Sequence, residues 1–109
     1  MVEDDFFILT ELESALVDAG AEIAGACQTV KDALPIAEGD SLSAAVLDVQ
    51  VGAEFVAPVA QQLADRGIPI VFYTGQVGTD RALEWPKSKT VFKPAQPQTI
   101  IRAVTELMR

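Results

Sequence analysis

Histidine is absent from all 109 residues. That removes imidazole acid–base catalysis, the Ser–His–Asp triad and any phosphohistidine carrier role. Cysteine occurs once, at Cys27, so no internal disulfide can form and a reducing compartment suits the chain. A small buried thiol near a strand end is the expected reading of Cys27. Basic residues are scarce: 8 Lys and Arg stand against 16 Asp and Glu, for a net charge of −8. Such a surface offers no footprint for direct nucleic-acid binding; it fits a protein that recruits cations or meets a basic partner. Aromatic residues make up only 6%, so aliphatic side chains must fill the core. No apolar run approaches the roughly 18 residues of a membrane span, and the acidic start is unlike a signal peptide. A cytoplasmic location away from membranes is expected.

What remains is apolar and periodic. Half of the residues are hydrophobic, enough for one packed domain over 1–109 that buries roughly two-thirds of its unfolded surface. Met1-Val2 is a strand-like stub. A strand of about five residues is normal, so the first strand is expected to be truncated at the N-terminus. Ile8, Leu12, Ala15 and Leu16 predict a helix from Phe6 to Ala19, closed by Gly20. Glu22–Ala26 reads as a short strand, and Thr29 as the cap of a second helix through Ala37, weakened by Pro35. Ala44–Val49 is apolar in succession, as in a parallel strand covered on both faces. Val56, Val59, Ala60 and Leu63 mark a third helix ending at Gly67, and Ile68–Thr74 another buried strand. The segment from Gln76 to Lys89 is poor in apolar periodicity, so only a turn or two of helix is expected around Asp80–Glu84. Val91-Phe92 is a fifth strand. Pro97–Met108 is a last helix with Ile100, Ile101, Val104, Leu107 and Met108 inward. The alternation predicts an α/β fold, (βα)5, with a doubly wound parallel five-stranded sheet and a reduced fourth helix.

In such sheets ligands gather at the carboxyl ends of the strands. Glu3 and Asp4, Asp48, Thr74 and Lys93 all fall there. Crowded carboxylates repel and raise one another's pKa. A divalent cation resolves that conflict, and Mg²⁺ takes carboxylates, carbonyls and waters. A hydroxyl and an ammonium beside them suit anionic oxygens. Together these are the parts of a phosphoryl-transfer site, with Asp48 as nucleophile.

On these residues the chain resembles the receiver domains of two-component response regulators, the CheY-like family. The matching motifs are Glu3-Asp4, Asp48 in Val-Leu-Asp-Val, Thr74 in Phe-Tyr-Thr-Gly, and Lys93-Pro94 in Val-Phe-Lys-Pro-Ala; they span essentially the whole chain. The resemblance implies the strand order 2-1-3-4-5. It makes Asp48 the phosphoacceptor, Asp4 a direct Mg²⁺ ligand and Glu3 a ligand through water, with Gln50 supplying a backbone carbonyl. Thr74 and Lys93 would hold the phosphoryl oxygens. Asp5 has no metal role in the pattern and suits the start of the first helix. A histidine kinase or phosphotransfer protein would be the donor, docking around Phe6, Phe7 and Leu9 with the Lys93-Pro94 loop, and a downstream protein would read the result. Such a domain catalyses only its own phosphorylation and dephosphorylation.

The departures are as specific as the matches. The interval from Asp48 to Thr74 and the segment from Thr74 to Lys93 are short, and the loop after Asp48 lacks a Met-Pro-Gly turn. Most receivers carry a switch aromatic three places before the lysine; Thr90 stands there. Phe72-Tyr73-Thr74-Gly75 resembles the atypical FAT GUY receivers, although Val77 stands where their motif reaches a tyrosine. Gly75 leaves the phosphoryl group open to water, so fast hydrolysis is expected; alternatively it only permits a bend. Two other functions compete. A haloacid-dehalogenase-type phosphatase needs an acid two residues after its nucleophile, where Gln50 stands. A pseudo-receiver would keep the fold as a constitutive interaction module, and the sequence equally allows a receiver belonging to a hybrid histidine kinase.

Overall fold

A computed structural model describes residues 1–39, 41–75 and 85–109. The apolar runs become strands stacked side by side. β1 (Ala45–Leu47) pairs in parallel with β4 (Ile70–Thr74), and β4 with β5 (Ser88–Phe92). On the other side of β1 the sheet continues through single residues. Val2 bridges Leu47 on one flank and Cys27 on the other, both in parallel. Backbone bonds of 2.9 Å from Val2 N to Val46 O, Asp48 N to Val2 O, Glu3 N to Cys27 O and Cys27 N to Met1 O carry that continuation. The order Cys27, Val2, β1, β4, β5 is the expected 2-1-3-4-5.

Two elements differ from expectation. The strand read over Glu22–Ala26 shrinks to the bridge at Cys27, and within that stretch Gly25 lies close under the Ile36 side chain. A Cβ there would come within 2.4 Å of Ile36 Cδ1. Directly after Asp48, β2 (Gln50–Val51) and β3 (Glu54–Phe55) form a small antiparallel hairpin that no apolar alternation announced. Its turn uses Gly52 in the left-handed region, φ 63°.

Four helices lie among the described residues: α1 (Phe6–Asp18), α2 (Val30–Gly39), α3 (Ala57–Asp65) and α4 (Pro97–Leu107). Local chemistry sets their ends. Asp5 Oδ1 accepts from Phe7 N and Ile8 N at 2.9 and 3.2 Å, so this acid caps α1. Gly20 and Ala21 return N–H bonds to Val17 and Leu16 carbonyls, a Schellman closure with Gly20 at φ 98°. Thr29 Oγ1 accepts from Asp32 N at 3.1 Å, and α2 carries Pro35 within it and runs on to Gly39. The turn expected around Asp80–Glu84, and with it the reduced fourth helix of the sequence reading and Val77, falls outside the described residues.

The sheet is covered on both faces. Ile70 and Phe72 face α2 and α3 with Leu47, Val59 and Leu63, while Val71 and Tyr73 face α1 and α4 with Leu12, Val46 and Ile100. In α1 the inward stripe is Leu9, Leu12 and Leu16, with Ile8 half-buried. In α4 it is Ile100 and Ala103, and Met108 is exposed rather than inward. A cavity of about 470 Å³ opens at the amino ends of the strands, lined by Val2, Leu16, Ile36, Ala45 and Leu63 among others. No helix among the described residues is long and apolar enough to cross a membrane.

Candidate functional site

Each polar residue at the carboxyl edge is delivered by the strand that precedes it. Val2 ends in Glu3 and Asp4, β1 runs into Asp48, β4 ends at Thr74, and β5 is followed by Lys93. Burial costs a carboxylate heavily unless it is paired, yet Glu3, Asp48 and Thr74 are the three buried polar side chains among the described residues. Pairing resolves this. Lys93 Nζ lies 2.9 Å from Asp48 Oδ2 and 2.6 Å from Glu3 Oε1. The backbone fixes that lysine, since Lys93 N donates to Thr74 O at 2.8 Å; the Lys93–Pro94 peptide that follows is cis. Glu3, Asp4 and Asp48 each offer an oxygen within 4.8 Å of the others.

Three carboxylates around one ammonium are over-acidic. Burial pushes Glu3 up to about 7, against the bond from Lys93 and with nearby Asp4 and Asp48 adding to the rise. Burial alone would lower Lys93, but its hydrogen bonds to Glu3 and Asp48 outweigh that and hold it above the ordinary ammonium value. The Lys93–Glu3 contact therefore does not behave as a simple ion pair. Glu3 is the acid of this cluster whose burial favours the proton-bound form. Asp4 is exposed and sits below the usual carboxylate range, chiefly because Gly52 N donates to its Oδ2 at 2.9 Å. The set of hard oxygens with surplus negative charge fits Mg²⁺.

The other expected site residues are placed as follows. Gln50 is half-buried at the start of β2, beside the acids in sequence. Phe6 and Phe7 open α1 at 59% and 82% exposure and meet edge to face, with centroids 6.2 Å apart. Pro94 is exposed. Leu9 does not join this patch: it is only 5% exposed, because its position falls on the same helical face as Leu12 and Leu16. Thr90, at the switch position, pairs with Phe72 across β4–β5, and its hydroxyl is buried with no hydrogen-bond partner among the described residues. Gly75 is exposed with φ outside the left-handed region, and a Cβ would make ordinary 3.9 Å contacts with Lys93 Cβ and Cδ. Backbone conformation thus does not demand glycine there. Cys27 is buried and its thiol is pushed up by burial.

Two contributors went unread in the sequence. Gly52 donates its N–H to Asp4 across 48 positions. Tyr73, which reads as an ordinary strand residue, donates its hydroxyl to Ala95 O at 3.2 Å and accepts from Ala95 N at 3.1 Å. Neither has a signal in the sequence beyond a turn glycine and a buried phenol in need of a partner.

No protein-family model matches the chain, and no curated protein matches it by sequence. Solved structures do. A response regulator receiver protein from Sinorhizobium medicae superposes with a TM-score of 0.87 at 26% identity, covering 98% of this chain and 90% of its own. SdrG from Sphingomonas melonis is 34% identical over 99% of this chain and 92% of its own, with a TM-score of 0.79. A CheY-like receiver domain from Methanospirillum hungatei, 18% identical, shares the fold at a TM-score of 0.86 over 98% of this chain and 89% of its own.

Proposed function

The chain belongs to the receiver domains of response regulators, and from that premise we propose that it accepts a phosphoryl group on Asp48. The observation that carries this reading is the Lys93 ammonium 2.9 Å from a buried Asp48 carboxylate, with two further acids converging on the same point. An Asp48 oxygen attacks the phosphorus of a donor phosphohistidine. The O–P bond forms as the N–P bond breaks, and the imidazole leaves with the electron pair. Lys93 exchanges its bond to Asp48 for one to a phosphoryl oxygen, and the Thr74 hydroxyl at the end of β4 serves another. Glu3, Asp4, Asp48 and the Gln50 carbonyl would hold Mg²⁺, which supplies charge neutralisation to the transferring group. Water then attacks the phosphorus as the bond from phosphorus to the Asp48 oxygen breaks, which releases phosphate and restores the Asp48 carboxylate. With glycine at 75 that step is open to solvent, so the phosphorylated state is short-lived. The domain turns over no other substrate, because Gln50 cannot protonate a leaving group as a phosphatase acid would.

The donor is a histidine kinase or a phosphotransfer protein, meeting Phe6, Phe7 and Pro94 beside the pocket, and a downstream protein reads the change, all within the cytoplasm. Exposed aromatics next to a reactive pocket support that docking face. A second reading, the constitutive pseudo-receiver, is favoured by Thr90, whose small side chain leaves the switch position without an aromatic. Incubation with acetyl phosphate and Mg²⁺ separates the two. The expected outcome is a mass gain of one phosphoryl group, lost in Asp48→Asn and reversed within minutes to an hour. No gain, together with no change in Trp85 fluorescence on adding beryllofluoride, establishes the pseudo-receiver instead.

A further inference from the structure

Tyr73 is the chain's single tyrosine, and its surroundings are unusual for a strand residue. The ring is buried in the α1–α4 face of the core with Leu12, Val71 and Ile100. Its hydroxyl both donates to and accepts from the backbone of one residue, Ala95. Lys93 Nζ lies 5.5 Å from the ring centroid, within reach of a cation–π attraction. One residue on, Thr74 O receives Lys93 N. Tyr73 therefore grips the 93–95 loop at two points, over the lysine and just beyond it. α4 starts two residues after Ala95, and its N-cap Gln96 makes no side-chain capping bond. The start of that helix thus inherits its position from the loop that Tyr73 holds.

We propose that Tyr73 is a positioning residue for Lys93, and that it carries occupancy of the acidic pocket to the 93–96 loop and the first turn of α4. This rests on the phosphoacceptor reading of the pocket. Lys93 is drawn to Asp48 and Glu3. When a phosphoryl group occupies Asp48, the ammonium must re-aim toward a new oxygen. Its backbone is tied to Thr74 and its neighbour to Tyr73, so the adjustment is shared with Ala95 and α4. Thr90 contributes nothing to that route: its buried hydroxyl has no hydrogen-bond partner among the described residues, and it pairs with Phe72 on the strand interior.

The test uses the one tyrosine as its own reporter. The full chain is labelled with [ζ-¹³C]tyrosine and titrated first with Mg²⁺, then with beryllofluoride, whose bound form is read by ¹⁹F NMR. The tyrosine resonance and the Ala95 and Thr99 amides are expected to shift with the midpoint of beryllofluoride uptake. In Tyr73→Phe, Mg²⁺ affinity is expected to stay within twofold, while beryllofluoride binds roughly tenfold more weakly and the Ala95 and Thr99 shifts are lost. A merely structural tyrosine would alter both affinities or neither. Unchanged beryllofluoride affinity in Tyr73→Phe, or a tyrosine resonance indifferent to bound beryllofluoride in the unsubstituted chain, overturns the proposal alone. Absence of any bound ¹⁹F signal in the unsubstituted chain overturns the phosphoacceptor reading, and this proposal with it.

Discussion

The two halves of the sheet are built to different standards. On one side β4 and β5 run five residues each in continuous parallel register. On the other, Val2 and Cys27 contribute one bridging residue apiece. The acidic pocket straddles this seam: Thr74 and Lys93 come from the well-paired half, Glu3 and Asp4 from the sparse one, and Asp48 from β1 between them. The well-paired half positions its residues through backbone ladders. The sparse half positions its acids through side-chain bonds, from Lys93 and Asp5 N to Glu3 and from Gly52 N to Asp4. Stability and site geometry should therefore come apart on mutation.

The largest effect is expected in the ladder half. Phe72→Ala removes a side chain that is 1% exposed and should cost about 4 kcal/mol in urea unfolding, with Mg²⁺ affinity in the surviving folded protein little changed. Val2→Ala should cost less, about 2 kcal/mol, yet weaken Mg²⁺ several-fold, because the buried Val2 side chain packs the strand end that carries Glu3 and Asp4 into the core. A greater loss of Mg²⁺ affinity in Phe72→Ala than in Val2→Ala would erase the distinction between the halves.

Protonation sharpens it further. Glu3 has its pKa raised in the fold, from 4.5 to about 7, so the folded state binds more protons across that window. Stability of the metal-free protein should then fall as pH rises through it, the whole penalty being present above about 7 and none below the unfolded value. Lys93, raised above its ordinary 10.5, contributes stability that is lost only at alkaline pH, outside this window. Mg²⁺ at about ten times its dissociation constant should add about 1.4 kcal/mol near pH 8 and much less near pH 5. Thermal melts at the two pH values, with and without Mg²⁺, check the sign. The smallest expected effect is at the rim. Gly75→Val should leave the melting temperature nearly unaltered and lengthen the phosphoryl half-life several-fold by covering the group with side chain. An unaltered half-life would show that the side chain at 75 does not control access of water to the group.

Much of this molecule can be read from its sequence, and the limits have physical causes. Ala-Val-Leu-Asp-Val and Ile-Val-Phe-Tyr-Thr are recognisable because a strand buried on both faces leaves no room for polar residues until its end. The glycines after α1 and α3 are recognisable because helix closure requires left-handed backbone. The β2–β3 hairpin was not, since Gln50–Phe55 owes its shape to Gly52 and its tether to Asp4, a residue distant in sequence. Leu9 is buried because it shares a face with Leu12 and Leu16, whereas the stripe expected from the sequence ran through Ile8, Leu12, Ala15 and Leu16. Tyr73 stayed hidden because its partners, Ala95 N and O, are backbone groups that any sequence would supply.

The three consecutive acids at the start of the chain carry a last consequence. Glu3 turns inward to Lys93, Asp4 outward to the hairpin, and Asp5 forward to the first amides of α1. Chemically they are near-equivalents, yet their tasks are assigned by phase, the order in which a strand end hands over to a helix. Swapping one acid for another disturbs a single task. Deleting Glu3 or Asp4 moves the frame, so that each acid after the deletion inherits the wrong duty.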